Sequence, residues 1–429
     1  MEKGNEIKIV VPPLRFPEFQ GINGWEEKKL EEIGNFIGGG TPNTAIQEYW
    51  DGGIPWYTPT EIKNGDLKSS NRTITEKGLK NSSAKLLPQG TILITTRATI
   101  GDVAISKKEC TTNQGFQSLV VNDSESNLFW FYWIIRHKEE LIKRASGSTF
   151  KEISKNEIIN ITSYSPKKQE QQKIADCLSS LDELIEATAQ KVEALKEHKK
   201  GLMQRLFPAE GKNVPDLRFP EFRGTSAWEE KKLGNVVEIK GRIGFRGYTT
   251  KDIVEQGKGA ISLSPTNITE NGNLNFDKST YISWEKYNES PEIQLQKGHI
   301  VLVKTGSSYG KSALVKELPA KTTVNPQIVV LKPEEGVNKY FISVLISHPM
   351  IQKQIKCAVV GGAIPTLSQE SISKFDVLYP KKTSYKPSEQ EKIANCLSSL
   401  DELIEATSRK VEILKEHKKG LMQQLFPKI

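Results

Sequence analysis

Two internal repeats constrain this 429-residue chain more than any other feature, because near-identical segments must find equivalent packing partners. Leu14-Arg15-Phe16-Pro17-Glu18-Phe19 returns at 217–222, and Trp25-Glu26-Glu27-Lys28-Lys29-Leu30 returns at 228–233, both at an offset of 203. A longer copy follows: residues 169–208 reappear as 388–427, identical at 33 of 40 positions and at an offset of 219. The segments between them, 31–166 and 234–384, share only a skeleton. The order is therefore frame, insert, frame, insert, with a constant frame and two unlike inserts.

The skeleton of the inserts reads as strand, turn and strand. Gly90-Thr-Ile-Leu-Ile-Thr-Thr-Arg97 followed by Gly101-Asp-Val-Ala-Ile105 resembles Gly298-His-Ile-Val-Leu-Val-Lys304 followed by Gly310-Lys-Ser-Ala-Leu-Val315. Thr111-Thr-Asn-Gln114 corresponds to Thr322-Thr-Val-Asn325-Pro-Gln327, and Gly147-Ser-Thr-Phe150 to Gly361-Gly-Ala-Ile364. Each insert ends in a short strand before Pro166 or Pro380.

The long repeat carries a heptad seam. Ile174, Leu178, Leu181, Ile185, Thr188, Val192, Leu195, Lys199, Leu202 and Leu206 alternate spacings of four and three; Ile393, Leu397, Leu400, Ile404, Thr407, Val411 and Leu414 repeat the pattern up to Leu425. Ser388 with Glu391 predicts a capping box at the second helix's start, and Pro208 and Pro427 stop the helices. Acidic residues (Asp182, Glu183, Glu186) crowd the first half and lysines (Lys196, Lys199, Lys200) the last turns. Antiparallel pairing sets acid beside base, where parallel pairing would oppose like charges. A helix of about 38 residues is about 57 Å long, a ruler with one insert at each end. Pairing between chains rather than within one is the other use of such a seam.

The remaining composition narrows the function. A net charge of +8 leans toward a polyanionic partner. The four cysteines (Cys110, Cys177, Cys357, Cys396) lack zinc-ligand spacing, so no metal site is expected and free thiols in the cytoplasm are. The longest apolar cluster, 128–135, is too short for a membrane span. Gly306-Ser-Ser-Tyr-Gly310-Lys311-Ser312 is one residue short of a P-loop and reads as a hairpin turn. Gly241-x-x-Gly244-x-x-Gly247 is no dinucleotide fingerprint. Pro215-Asp216 followed by Glu229-Glu230-Lys231 loosely matches a metal-dependent nuclease pattern, but the first repeat has Pro13-Leu14 where the acid would stand. No catalytic residues are assigned.

The inserts carry polar turns with Arg and Lys beside aromatics, suited to base edges and phosphates. The DNA-binding candidates in the first are Arg97, Asn113, Gln114, Arg144, Ser148, Thr149 and Lys151. In the second they are Lys240, Arg242, Phe245, Arg246 and Tyr248, with Lys304, Ser307, Ser308, Tyr309 and Lys311 at the hairpin turn.

Two Trp-Glu-Glu-Lys-Lys-Leu starts combined with two Lys-Ile-Ala-(Asp/Asn)-Cys-Leu-Ser-Ser-Leu-Asp-Glu-Leu-Ile helices resemble the specificity (S) subunit of type I restriction-modification systems over nearly the whole chain. The resemblance implies an α+β fold: target recognition domains at 1–166 and 209–384, with coiled-coil helices at 167–208 and 385–429 pairing antiparallel. It implies a non-catalytic protein reading a bipartite target in double-stranded DNA. It further implies two copies of a methyltransferase subunit, which use S-adenosylmethionine, and motor-nuclease subunits, which use ATP and magnesium. A single-chain nuclease and a coiled-coil scaffold without sequence preference are the competing expectations.

Overall fold

A computed structural model describes residues 9–62, 67, 69–147, 151–242, 247–359 and 366–429. The chain divides into two compact units, 1–190 with 408–429, and 191–407. This division cuts across the sequence repeats: each unit joins one insert to part of both long helices.

In the first unit a four-stranded antiparallel sheet runs Gly34–Gly38, Phe116–Val121, Ile92–Thr95, Val103–Ile105. Ile92 and Ile94 enter one core cluster and Leu93 another, so this strand is buried on both faces. Two-sided burial is why its residues are consecutively apolar where a half-exposed strand would alternate. A second sheet sets Trp50–Tyr57 between Arg72–Ile74 and, in parallel, Thr111–Thr112. Glu26–Lys29 pairs with Thr162–Ser165, tying the start of the insert to its end. The aromatic run that was too short for a membrane is the helix Asn127–Arg136, capped by Ser126, with Phe129, Trp130 and Trp133 buried. Among the described residues no helix is long and apolar enough to cross a membrane.

The second unit follows the same plan. Its four-stranded sheet runs Val237–Gly241, Ile328–Pro333, Ile300–Val303, Ser312–Leu314. Gly259–Leu263 lies parallel to Thr322–Val324, with Thr280–Ser283 and Ile253–Val254 beyond it. Glu229–Lys232 pairs with Asp376–Tyr379. A glycine closes each hairpin: Gly101 (φ 80°) donates to the Thr95 carbonyl and Gly310 (φ 86°) to that of Val303, both at 2.9 Å. Any residue with a Cβ would be strained at that φ. The Gly306–Ser312 stretch is thus a hairpin turn, as its spacing predicts.

The long helices are Lys168–Leu206 and Glu389–Leu425, of 39 and 37 residues. The Ser388 amide and hydroxyl donate to Glu391 at 2.6 and 2.8 Å, and the Glu391 amide donates back to the hydroxyl at 3.4 Å, the capping box read in the sequence. In the first unit Lys418 reaches Asp182 at 2.6 Å; in the second Lys199 reaches Asp401 at 2.6 Å. The halves in each unit therefore run antiparallel within one chain, acid against base. Ile174, Leu178, Val192, Leu206, Ile393, Leu397, Val411 and Leu425 are buried; Leu181, Ile185, Leu195, Leu202, Leu400, Ile404 and Leu414 are half-buried. Thr188 and Thr407 donate to the Leu184 and Leu403 carbonyls at 2.6 and 2.7 Å, so their hydroxyls are satisfied inside their own helices.

Three contacts, each of them recurring, fix the globular part of each unit on the helices. Tyr132 donates to Asp182 at 2.7 Å, as Tyr340 does to Asp401. Arg15 makes a buried fork onto Glu170 (2.8 and 2.7 Å), as Arg218 does onto Glu389 (2.6 and 2.7 Å). Phe426 packs on Trp25 and Phe129, and Phe207 on Trp228 and Phe341. The last contact is reciprocal: each insert's core is completed by the end of the helix that belongs to the other repeat.

Candidate nucleic-acid interface

Three chain segments meet at the hairpin loop of each unit. In the first, the Thr96 amide donates to the Gly115 carbonyl (2.8 Å) and the Ile153 amide to the Thr96 carbonyl (3.2 Å), while Arg97 and Glu152 form an isolated antiparallel bridge. In the second, the Lys304 amide donates to Gln327 (2.8 Å) and the Leu367 amide to Lys304 (2.8 Å), while Thr305 and Thr366 form the bridge. The turn between the strands also matches. Asn113 Oδ1 accepts from the Gly115 amide at 2.8 Å, and Asn325 Oδ1 from that of Gln327 at 3.0 Å. Their amides donate to the last residue of the neighbouring strand, Tyr57 or Leu263 (3.0 and 2.9 Å). These backbone hydrogen bonds recur in both units, although the second hairpin loop is one residue longer.

The side-chain chemistry differs. Arg97 and Glu152 form an ion pair at 2.8 Å with side chains 47% and 44% exposed, where the second unit carries two threonines. Gln114 is exposed and accepts a hydrogen bond from the Thr41 hydroxyl at 2.7 Å; the corresponding residue in the second turn is Pro326. Thr96 is buried, whereas its counterpart Lys304 is half-buried, and desolvation pushes that ammonium below its ordinary pKa. One scaffold thus presents two different sets of donors and acceptors.

The other predicted residues fall in several places. Lys151 is exposed beside Glu152. Arg144 is held by Glu140 at 3.0 Å and Lys240 by Glu238 at 3.0 Å. Ser307 is exposed on the hairpin turn, Ser308 is half-exposed, and Tyr309 leans on the core. Lys311 is paired with Glu270. Ser148, Thr149, Phe245 and Arg246 lie outside the described residues. Arg242 requires a correction. It is 4% exposed, donates to the Val324 carbonyl at 3.2 Å, lies near the Tyr248 ring, and has its pKa lowered by burial. Its guanidinium is turned into the fold, so it braces the Thr322–Val324 strand rather than facing solvent.

Two features escaped the sequence reading. Thr58-Pro59-Thr60-Glu61 and Ser264-Pro265-Thr266-Asn267 form the same capped turn after the central strand of the second sheet, with Thr58 donating to Glu61 at 2.7 Å and Ser264 to Asn267 at 2.9 Å. The signal was present as a third, weaker repeat at an offset of 206. Arg72 stacks on Trp50, 3.5 Å from the ring centre, a pairing across 22 residues that no local pattern announces. Among the acids of the nuclease-like pattern, Asp216 is paired with Lys212 and Glu229 with Lys231, each at 2.8 Å. No cluster able to hold a metal ion is present among the described residues.

Comparison with known proteins gives concordant results. The profile of the family described as "Type I restriction modification DNA specificity domain" matches residues 22–197 and 225–416. The type I restriction enzyme MjaIX specificity subunit of Methanocaldococcus jannaschii is 30% identical over 416 residues, 94% of this chain and 92% of that protein. The MjaVIII specificity subunit of the same organism is 24% identical over 423 residues, covering 96% and 95%. The crystal structure of the type I restriction-modification S subunit from M. genitalium shares the fold, with a TM-score of 0.59 at 18% identity over 98% of this chain and all of that one.

Proposed function

The chain belongs to the type I restriction-modification DNA specificity family, with two copies of the family's domain, and on that premise we propose that it reads an asymmetric bipartite DNA target. Each insert reads one half. The observation that carries this is the pairing of one backbone arrangement with unlike side chains: Arg97, Glu152 and Gln114 stand where the other unit has Thr305, Thr366 and Pro326. The antiparallel helices set the gap between the halves. Two methyltransferase subunits bind around the helices and modify adenine from S-adenosylmethionine, and motor-nuclease subunits use ATP and magnesium, all in the cytoplasm. Catalysis resides in those partners.

The test is to express the chain with its methyltransferase subunit in cells lacking other adenine methylases and to sequence the modified adenines. A gapped motif with two different halves is expected. A palindromic or ungapped motif counts against the reading, and so does methylation without sequence preference. Affinity should fall steeply with salt, because cations that contact phosphates release counterions.

A further inference from the structure

We propose that the bridged pair Arg97 and Glu152 is a specificity-determining element of the first insert, reading one G·C base pair in its half-site; this rests on the DNA-specificity reading above. Two unlike inserts cannot discriminate different sequences through the parts they hold in common. The Asn113 and Asn325 turns, the capped Thr58 and Ser264 turns and the amide bonds of Thr96 and Lys304 are common to both. Discrimination must come from positions where the backbone is the same and the side chain differs. Residues 97 and 152 are such positions, corresponding to Thr305 and Thr366 of the second insert.

The chemistry of the pair suits a G·C edge. The antiparallel bridge places both residues side by side, and both side chains are nearly half exposed. The Glu152 Oε1 contact at 2.8 Å falls on the Arg97 Nε. The outer fork of a guanidinium matches the two major-groove acceptors of guanine, and a carboxylate accepts from the cytosine amino group. The ion pair would hold the arginine extended, so little side-chain freedom is lost on binding. Thr305 and Thr366 carry no charge and no fork, so the second insert has no such preference at the corresponding position.

The experiment uses the complex of the full chain with its methyltransferase subunit, with modified adenines read by sequencing. Arg97→Ala, Arg97→Lys, Glu152→Gln and the double variant Arg97→Thr with Glu152→Thr are compared with the natural chain. Each should lose the G·C requirement at one position of one half-site, by roughly 10-fold or more in relative methylation, and leave the other half-site intact. Arg97→Lys is the informative variant, because a phosphate contact tolerates lysine and a bidentate base contact does not. An unchanged motif in all variants, or a uniform loss of methylation at every site with rescue by lysine, overturns the proposal while leaving the bipartite reading in place. If the natural complex methylates no defined motif, the specificity reading itself fails and takes this proposal with it.

Discussion

Arg15 and Arg218 stand in the two short Leu-Arg-Phe-Pro-Glu-Phe copies, and both turn inward onto a glutamate of a long helix. Both partners of each pair are almost fully buried. Removing the arginine alone leaves a carboxylate without its counter-charge, so Arg218→Ala should destabilise the second unit by on the order of 3–5 kcal/mol, read as a lowered urea midpoint. A loss below about 1 kcal/mol would mean the pair is hydrated in solution. His348 supplies a pH dependence. Its Nδ1 accepts from the Met350 amide at 3.4 Å, its ring lies against Phe207, and burial holds its pKa below the ordinary histidine value. The unfolded chain takes up this proton near pH 6.5 and the folded one only lower. The contribution is thus complete above about pH 6.5 and is lost as pH falls toward the depressed folded value. Between about pH 7 and 5.5 the stability of the second unit should fall less in His348→Asn, which keeps a capping acceptor, than in the natural chain; equal slopes would refute the assignment. Residue roles were the least legible part of the sequence. The run Lys240-Gly-Arg242-Ile-Gly-Phe-Arg-Gly-Tyr248 has the composition of a basic, exposed loop, yet Arg242 is buried, because its surroundings come from a strand some 80 residues away.

Helices and strands were far more legible. The heptads, the capping box and the antiparallel sense all follow from local spacing and charge, and the Asp182–Lys418 and Lys199–Asp401 contacts agree with that reading. The part that stayed hidden is what lies at the helix ends. Leu-Phe-Pro closes both copies, and nothing local says that Phe426 finishes the first insert's core or Phe207 the second's. Both rings are almost completely buried. Phe426→Ala should therefore cost the first unit roughly 3–5 kcal/mol and leave the second unchanged, and Phe207→Ala should do the reverse. Limited proteolysis followed by mass mapping distinguishes them: cleavage should appear within 31–166 in one variant and within 234–384 in the other. Cleavage spread equally over both inserts in either variant would contradict the reciprocal arrangement.

For the molecule as a whole, the contrast between a copied frame and divergent inserts makes a modular prediction. Replacing 234–384 by a second copy of 31–166 should give a complex that methylates two copies of the first half-site and no longer requires the second. Persistence of the second half-site in the methylated motif would show that bases are read from the frame. The near-identical long repeats would also let gene segments recombine and exchange inserts without disturbing the helices. This level of organisation was legible because duplication is visible at any distance in a sequence, whereas the equivalence of Gln114 with Pro326 emerges only from the turn hydrogen bonds that align Asn113 with Asn325.

The reciprocal helix ends have a consequence for synthesis. As the ribosome advances, the second insert meets Phe207 already made, and the first helix half it packs on is waiting. The first insert, although it emerges earliest, must stand with an open core until residues 408–429 leave the exit tunnel. The half that is translated first is the half that is completed last, and through that interval its aromatic floor around Trp25 and Phe129 lacks the Phe426 ring that packs on it in the finished fold.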